Sequence, residues 1–229
     1  MSQVIYRFRV AEDASYEHAV PLDAAEATAA SPAAYPRWAE LEFHRCSNCT
    51  LDAAEHRYCP VAMRLPPLIA IADRLRSYDL VTLEVDTNER RVIQETTAQR
   101  ALSSLLGLMM ATSECPHTRY MRPMARFHLP LASEEETAYR ATSMYLLAQF
   151  YLARQGREVD ITLSGLAAIY RDLQRVNGAL AGRLRAASKE DTALNAIVLL
   201  DLFAKGVPYS IDEAMVEFRS LFGAYLLGG

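Results

Sequence analysis

Residues 80–111, LVTLEVDTNERRVIQETTAQRALSSLLGLMMA, contain the pattern that decides the fold class. The first part consists of two β-rich runs, 80–85 and 91–96, which flank the polar turn 86–89 and predict an antiparallel hairpin. The last part, 98–111, is apolar over most of its surface and predicts a buried helix. The spacing of apolar residues therefore changes from the period of a strand to that of a helix where the hairpin ends.

The chain before this hairpin is also rich in strand patterns. Apolar side chains alternate along residues 4–10, which predicts a first strand, and residues 16–22 are its predicted partner across a turn. The alternation from Trp38 to His44 predicts a further extended segment. A helix is predicted to begin at Pro66, because proline suits a first helical turn and apolar residues follow at helical spacing.

The chain after the buried helix is helical in pattern. Its predicted helices cover residues 134–156, 163–184, 193–205 and 210–222. The first begins with a capping box formed by Ser133 and Glu136, and the last begins with a similar sequence at Ser210. Short connections predict that these helices are antiparallel neighbours, as in a bundle. We therefore expect an α+β fold in which an N-terminal antiparallel sheet is packed with a C-terminal helical bundle.

The predicted domain organisation is a single α+β domain, residues 1–229, with a sheet-rich half in 1–97 and a helical half in 98–229. The composition, 51% hydrophobic and 23% charged, is typical of a globular protein with a sizeable core. A formal net charge of −4 disfavours binding to nucleic acid through bulk electrostatics. The chain shows neither a secretion-signal pattern nor an apolar run of the ~20 residues that a membrane span needs. We expect a cytoplasmic protein with neither nucleic-acid nor membrane partners.

The arrangement of the four cysteines carries the main functional prediction. Cys46 and Cys49 form a C-x2-C pair, Cys59 follows it closely, and Cys115 lies farther along the chain. In a reducing cytosol such a pattern favours metal ligands over disulfides. Thiolates are soft ligands that zinc and iron–sulfur clusters prefer. The sequence therefore predicts one metal site made by all four cysteines, which would tie the sheet half to the helical half.

Two metal centres fit these ligands. Zinc (Zn) is favoured because a structural zinc site needs no special assembly, and either His44 or His56 can replace one cysteine as a ligand. The alternative is a 4Fe–4S cluster, since the proline that follows both Cys59 and Cys115 is similar to the Cys-Pro of ferredoxin-like sequences. The opposing interpretation treats these two cysteines as buried apolar residues and the C-x2-C pair as an accident or a redox pair.

Several charged residues near the fourth cysteine have both a functional and a structural interpretation. Glu114 and His117 flank it and would attend an open metal position, although a surface loop is the more common setting for a lone histidine. Arg119, Arg122 and Arg126 recur at helical spacing and would form an anion-binding or partner-binding patch. Because arginines commonly bridge to carboxylates, the structural interpretation of these three is favoured.

No motif in the sequence predicts an enzyme, since the P-loop, G-x-G-x-x-G, G-x-S-x-G and H-E-x-x-H patterns are all absent. The leading prediction is a non-enzymatic intracellular metal-binding protein that acts by binding an unidentified protein or small-molecule partner. One alternative is an iron–sulfur redox or sensor protein with the same ligands. Another is a metal-dependent enzyme in which three cysteines bind the metal and one coordination position stays open.

Four segments carry a resemblance to a known family: LEFHRCSNC at 41–49, CPVA at 59–62, MATSECP at 110–116 and RPMARFHLP at 122–130. Together they resemble an uncharacterised bacterial protein family, and the likeness extends over most of the chain. The resemblance implies no activity, because the family has none established. It does imply that the cysteines and the Arg-Pro-Met segment belong together.

Overall fold

The computed structural model describes residues 2–11, 14–23 and 35–226, without the side chains of residues 11 and 207–214. In this part of the chain one antiparallel sheet has the strand order β2-β1-β3-β4. Its strands are β1 (Gln3–Ala11), β2 (Ala14–Pro21), β3 (Leu80–Asp86) and β4 (Arg91–Thr97). The predicted hairpins and the α+β class with an N-terminal antiparallel sheet are confirmed.

The buried face of β1 explains why this strand lies in the middle of the sheet. Val4, Tyr6 and Phe8 alternate along it and are at most 1% exposed. Phe8 pairs with Tyr16 of β2 on one side and with Leu83 of β3 on the other. Side chains two residues apart share a face of the sheet, so the alternation predicted from the sequence becomes one wall of the core.

The helices follow the sheet in chain order. They are α1 (Pro66–Ala72), α2 (Ala98–Ala111), α3 (Arg122–Arg126), α4 (Glu134–Arg154), α5 (Ser164–Ala187), α6 (Thr192–Arg219) and α7 (Gly223–Leu226). Short 3-10 helices occupy Arg37–Ala39, Ala62–Arg64, Thr118–Met121 and Ser220–Phe222. None of the helices in the described residues is long and apolar enough to cross a membrane.

Helix α2 is the buried helix that the sequence predicts, and it joins the two halves. Leu102, Leu105 and Leu106 are fully buried, and the largest cluster of buried side chains combines residues of the sheet, α1, α2, α5 and α6. A Cβ atom at Gly107 would lie 3.4 Å from the side chain of Leu200, so α2 and α6 approach closely there. The assignment of residues 1–229 to one domain stays a prediction.

The capping box at the start of α4 is confirmed. The Ser133 hydroxyl accepts a hydrogen bond from the backbone N–H of Glu136, and the Glu136 carboxylate accepts one from the backbone N–H of Ser133. These bonds satisfy amide groups that the first helical turn leaves without partners. The helix ends at Arg154, and Gly156 beyond it has φ +70, a backbone conformation that suits glycine.

Two predictions about backbone conformation are wrong. The segment from Trp38 to His44 forms a 3-10 helix and turns, with a single bridge between Glu40 and Tyr58. Its carbonyl groups bond to an arginine side chain of α5 and not to a neighbouring strand. The predicted break before Ser210 is also wrong, because α6 is continuous from Thr192 to Arg219. The side chain of Ser210 itself lies outside the described part of the chain.

Candidate metal centre

The C-x2-C pair forms a tight turn. The backbone N–H of Cys49 donates to the carbonyl oxygen of Cys46 at 3.0 Å. The Arg45 guanidinium donates to the carboxylate of Glu42 and the carbonyl oxygen of Leu51, both at 2.6 Å, and its pKa is raised by that carboxylate and in part by the nearby thiol of Cys49. Arg45 thus contacts residues before and after the C-x2-C turn and supplies a positive charge near the sulfur of Cys49.

Backbone pairing brings the third cysteine beside this turn. The N–H of Cys59 donates to the carbonyl oxygen of Ala39 at 2.9 Å, and the N–H of Leu41 donates to that of Arg57 at the same distance. These bonds flank the bridge between residues 40 and 58. Cys59 therefore lies next to the segment that leads into the C-x2-C turn.

The fourth cysteine lies in a tightly bonded loop after α2. Ser113 is fully buried, and its hydroxyl accepts from the N–H of Cys115 at 3.3 Å and lies 3.0 Å from the hydroxyl of Thr118. Burial raises the pKa of the Cys115 thiol, and hydrogen bonds from the backbone N–H groups of Thr118 and His117 oppose that effect. Amide donors around a sulfur stabilise its thiolate form, which is the form that binds metals.

A polar network connects this loop to the C-x2-C turn. Nε2 of His117 donates to the carbonyl oxygen of Asn48 at 2.6 Å, and Nδ1 of the same ring lies 3.6 Å from Oδ2 of Asp172 in α5. The Asn48 amide donates to Oδ1 of Asp172 at 3.1 Å. The surface-loop interpretation of His117 is therefore wrong, since its side chain is 13% exposed and holds Asn48, which lies inside the C-x2-C turn.

All four cysteines belong to or contact the largest cluster of buried side chains. Cys59 and Cys115 belong to the largest cluster of buried side chains, and Cys46 and Cys49 pack against it partly buried. Burial raises the pKa of Cys46 to about 12, with further increases from the charges of Cys59, Cys115 and Cys49. The four thiols are therefore close enough to interact electrostatically.

The thiol groups do not form a closed ligand sphere as they are placed. Among residues 2–11, 14–23 and 35–226, no group of three or more His, Cys, Asp or Glu side chains is arranged to hold a metal ion. All four cysteines are free. Zinc–sulfur bonds are about 2.3 Å long, so metal binding requires the thiols to move from their present positions.

A buried arginine of α5 lies beside the cysteines. Arg183 is 1% exposed and donates to the carbonyl oxygens of Trp38, Glu40 and Leu41 at 2.6, 2.7 and 3.0 Å. Its positive charge lowers the pKa of Cys46, against the larger opposing effects. No carboxylate within the described residues forms an ion pair with Arg183. Since a buried charge is costly unless it is compensated, an anionic group nearby fits this position.

One protein-family model matches nearly the whole chain. A family model described as a domain of unknown function, DUF6901, matches residues 4–223. The chain belongs to the DUF6901 family. This confirms the resemblance to an uncharacterised family. No curated protein and no solved structure matches the chain.

The two histidines considered as alternative ligands in this DUF6901 chain are both exposed. The His44 ring packs against α5, where a Cβ atom at Gly182 would lie 2.7 Å from Nδ1, and its centroid is 4.9 Å from that of Phe43. His56 is exposed. No hydrogen bond joins either imidazole to a cysteine within the described ranges. Replacement of a cysteine ligand by either histidine stays a prediction.

The Arg-Pro-Met segment of the DUF6901 chain contacts the loop of the fourth cysteine. The Arg122 guanidinium donates to the carbonyl oxygen of Ser113 at 3.3 Å and to the carboxylate of Glu114 at 2.5 Å. Arg126 lies 3.9 Å from a carboxylate in the β3–β4 turn, and Arg119 is exposed. The contacts of Arg122 favour its structural interpretation and explain why the two segments belong together.

Two residues that sequence reasoning missed, Arg183 and Asp172, both lie on α5. Arg183 lies on the apolar face of this helix, seven residues after Val176 and three residues after Leu180. A charged residue in an apolar stripe is the pattern that indicates a buried functional group. Asp172 carries no comparable pattern, because its contact with the cysteine loops depends on tertiary packing.

His128, at the end of the Arg-Pro-Met segment, provides a prediction about pH. Its Nε2 lies 2.5 Å from the hydroxyl of Tyr6, and burial lowers its pKa to about 3. Between pH 6.5 and 3 this histidine binds a proton in the unfolded chain but not in the folded chain. The free energy of unfolding therefore falls as the pH is lowered through this range, by up to about 1.4 kcal/mol per pH unit. His128→Gln removes this proton uptake, so urea unfolding at several pH values is expected to show a shallower dependence than in the wild type. An identical slope in the two proteins would contradict the assignment.

Proposed function

We propose that this chain is a non-enzymatic intracellular metal-binding protein with one structural site formed by Cys46, Cys49, Cys59 and Cys115. The proposal is supported by the C-x2-C spacing of Cys46 and Cys49 and by the effect of Cys49, Cys59 and Cys115 on the pKa of Cys46. The protein acts in the cytoplasm, where thiols stay reduced and available to a metal. Its partner is a protein or a small molecule.

Positively charged and donor groups lie beside the sulfurs, although burial raises the pKa of both Cys46 and Cys115 overall. One zinc ion with four thiolates carries a net charge of −2, since 2 − 4 = −2. Positive charge and donors are supplied by the Arg45 guanidinium at Cys49, by Arg183 near Cys46, and by two backbone N–H groups at Cys115. Such groups stabilise thiolate ligands and tune a bound metal. Zinc is the proposed metal because a structural zinc site needs no special assembly.

The iron–sulfur alternative uses the same four ligands and would make the protein a redox carrier or sensor. The enzyme alternative needs an open metal position attended by His117 or Glu114. Both residues already have partners, because the His117 ring contacts Asn48 and Asp172 and the Glu114 carboxylate binds Arg122. These contacts favour a structural centre over a catalytic one.

The first test is the content of metal and acid-labile sulfide in protein purified without oxygen. We expect one zinc per chain, no sulfide and no visible absorption. The Cys59→Ser variant is expected to lose the zinc, whereas the matched control Ser47→Ala, an exposed position inside the C-x2-C turn, keeps it. Iron with sulfide would establish the cluster alternative, and four free thiols without metal would refute the site.

The Cys115→Ser variant separates a closed site from an open one. A site closed by four thiolates is expected to lose its zinc when one ligand is removed, because the remaining three leave a position to water. Retention of both metal and fold in this variant would show that three cysteines are sufficient. That outcome would replace the structural site by the open site of the enzyme alternative.

A further inference from the structure

A cavity of about 200 Å³ lies among α2, α3, α4, α5 and α6. Most of its wall is apolar, and the apolar side chains include Leu108, Met121, Met124, Leu173, Leu200 and Phe203. An engineered apolar cavity of about 150 Å³ holds benzene. The present volume therefore has room for a slightly larger apolar group, of about six to eight carbon atoms. Methionine side chains adapt their shape readily, which suits a wall that closes around a flexible ligand.

An arginine with unused donors lines this cavity. Nη2 of Arg140 donates to the carbonyl oxygens of Met124 and Phe127 at 2.9 and 2.8 Å. Its Nε and Nη1 atoms have no hydrogen-bond acceptor among the described residues, and no carboxylate there lies within ion-pair distance. Burial lowers the pKa of Arg140, and the charge of Glu136 opposes this effect without a hydrogen bond between the two side chains. Arg140 also lines a neighbouring cleft, so its guanidinium stands between the two spaces.

Two polar residues of α5 line the same cavity. Tyr170 is 5% exposed, and its hydroxyl makes no hydrogen bond within the described part of the chain. Asn177, seven residues later on the same helix face, is 3% exposed, and its Oδ1 atom is buried without a partner, although its Nδ2 donates to Asp201. Buried polar atoms such as Oδ1 of Asn177 normally have partners.

We propose that this cavity binds a small monocarboxylate, whose apolar body fills the leucine- and methionine-lined interior and whose carboxylate pairs with Arg140 and Tyr170. A guanidinium offers parallel N–H donors that match the two oxygens of a carboxylate. The phenol hydroxyl adds a third donor.

The cavity adjoins the loop of the fourth cysteine. Thr118, whose hydroxyl lies 3.0 Å from that of Ser113, and Met121 both line it. The ligand is held by α4 and α5 and not by the cysteines. The carboxylate site therefore goes beyond the proposed metal site and does not depend on it.

The test is isothermal titration calorimetry of the full chain with sodium octanoate, and with 1-octanol as the uncharged probe of equal chain length. We expect one octanoate per chain, bound at least about tenfold more tightly than octanol, because a hydrogen bond to a charged group is worth more than one to a neutral group. Arg140→Met is expected to weaken octanoate about tenfold and to leave octanol unchanged. Arg154→Met, an exposed arginine on the same helix, is the matched control and should bind like the wild type.

Tyr170→Phe keeps the test decisive if loss of Arg140 disturbs the fold, because this variant removes a single oxygen atom. It is expected to weaken octanoate several-fold without affecting octanol. Absence of octanoate binding up to its solubility limit in the wild type would overturn the proposal. Equal affinities for octanoate and octanol would overturn it as well, by showing an apolar cavity without a carboxylate site. Zinc content is measured on the same samples, so that a failure of the carboxylate proposal can be told apart from a failure of the metal-site proposal.

Discussion

Removal of the proposed zinc ion by a chelator is expected to lower the melting temperature of this protein by about 10–20 °C, which corresponds to about 5 kcal/mol for a chain of this size. The physical reason is that the metal joins three segments, those of Cys46 and Cys49, of Cys59 and of Cys115. Structural zinc contributes about 10–16 kcal/mol in zinc-finger peptides. The effect is smaller here because the sheet and α2 form an extensive core of their own.

The measurement is calorimetry of the protein before and after chelation, with zinc content determined on both samples. The Cys59→Ser variant is the matched control, because it lacks the site and its melting temperature should not respond to the chelator. Zinc added back to the chelated wild type should restore the original value. An unchanged melting temperature after complete loss of zinc would show that the metal does not stabilise this fold.

Replacement of Arg183 by methionine is expected to lower the free energy of unfolding by about 3 kcal/mol or more. Methionine fills a similar volume but leaves the carbonyl oxygens of Trp38 and Leu41 without the donor that each has now, whereas that of Glu40 keeps the N–H of Phe43. A buried acceptor without a partner loses its hydration and gains nothing in return. The variant also loses the positive charge near Cys46, so its zinc affinity should fall too.

Urea unfolding of the Arg183→Met variant measures this loss. The exposed Arg185, two residues further along α5, is the matched control, and Arg185→Met should change the free energy of unfolding by less than about 0.5 kcal/mol. Equal effects of the two substitutions would contradict the role given to Arg183. If the Arg183→Met variant is less stable but binds zinc with normal affinity, Arg183 stabilises the fold through its hydrogen bonds and its charge does not affect the metal site.

Local patterns in the sequence predict most of the secondary structure. The alternation along β1 and the capping box of α4 involve neighbours a few residues apart, so their physics is contained in short stretches of chain. The same reasoning failed from Trp38 to His44, where alternation is present but no neighbouring strand accepts the backbone. It failed again before Ser210, because a helix within a packed bundle continues through a weak local break.

The sequence by itself determined the strands, most of the helices and the four residues proposed as ligands, because residue type and spacing encode periodicity and ligand chemistry. Only the tertiary structure decided that α5 brings Arg183 to the carbonyls before the C-x2-C turn and Asp172 to His117. It alone placed Arg140 and Tyr170 at one cavity. These contacts join residues far apart along the chain, and they depend on how whole helices pack, which no local pattern records.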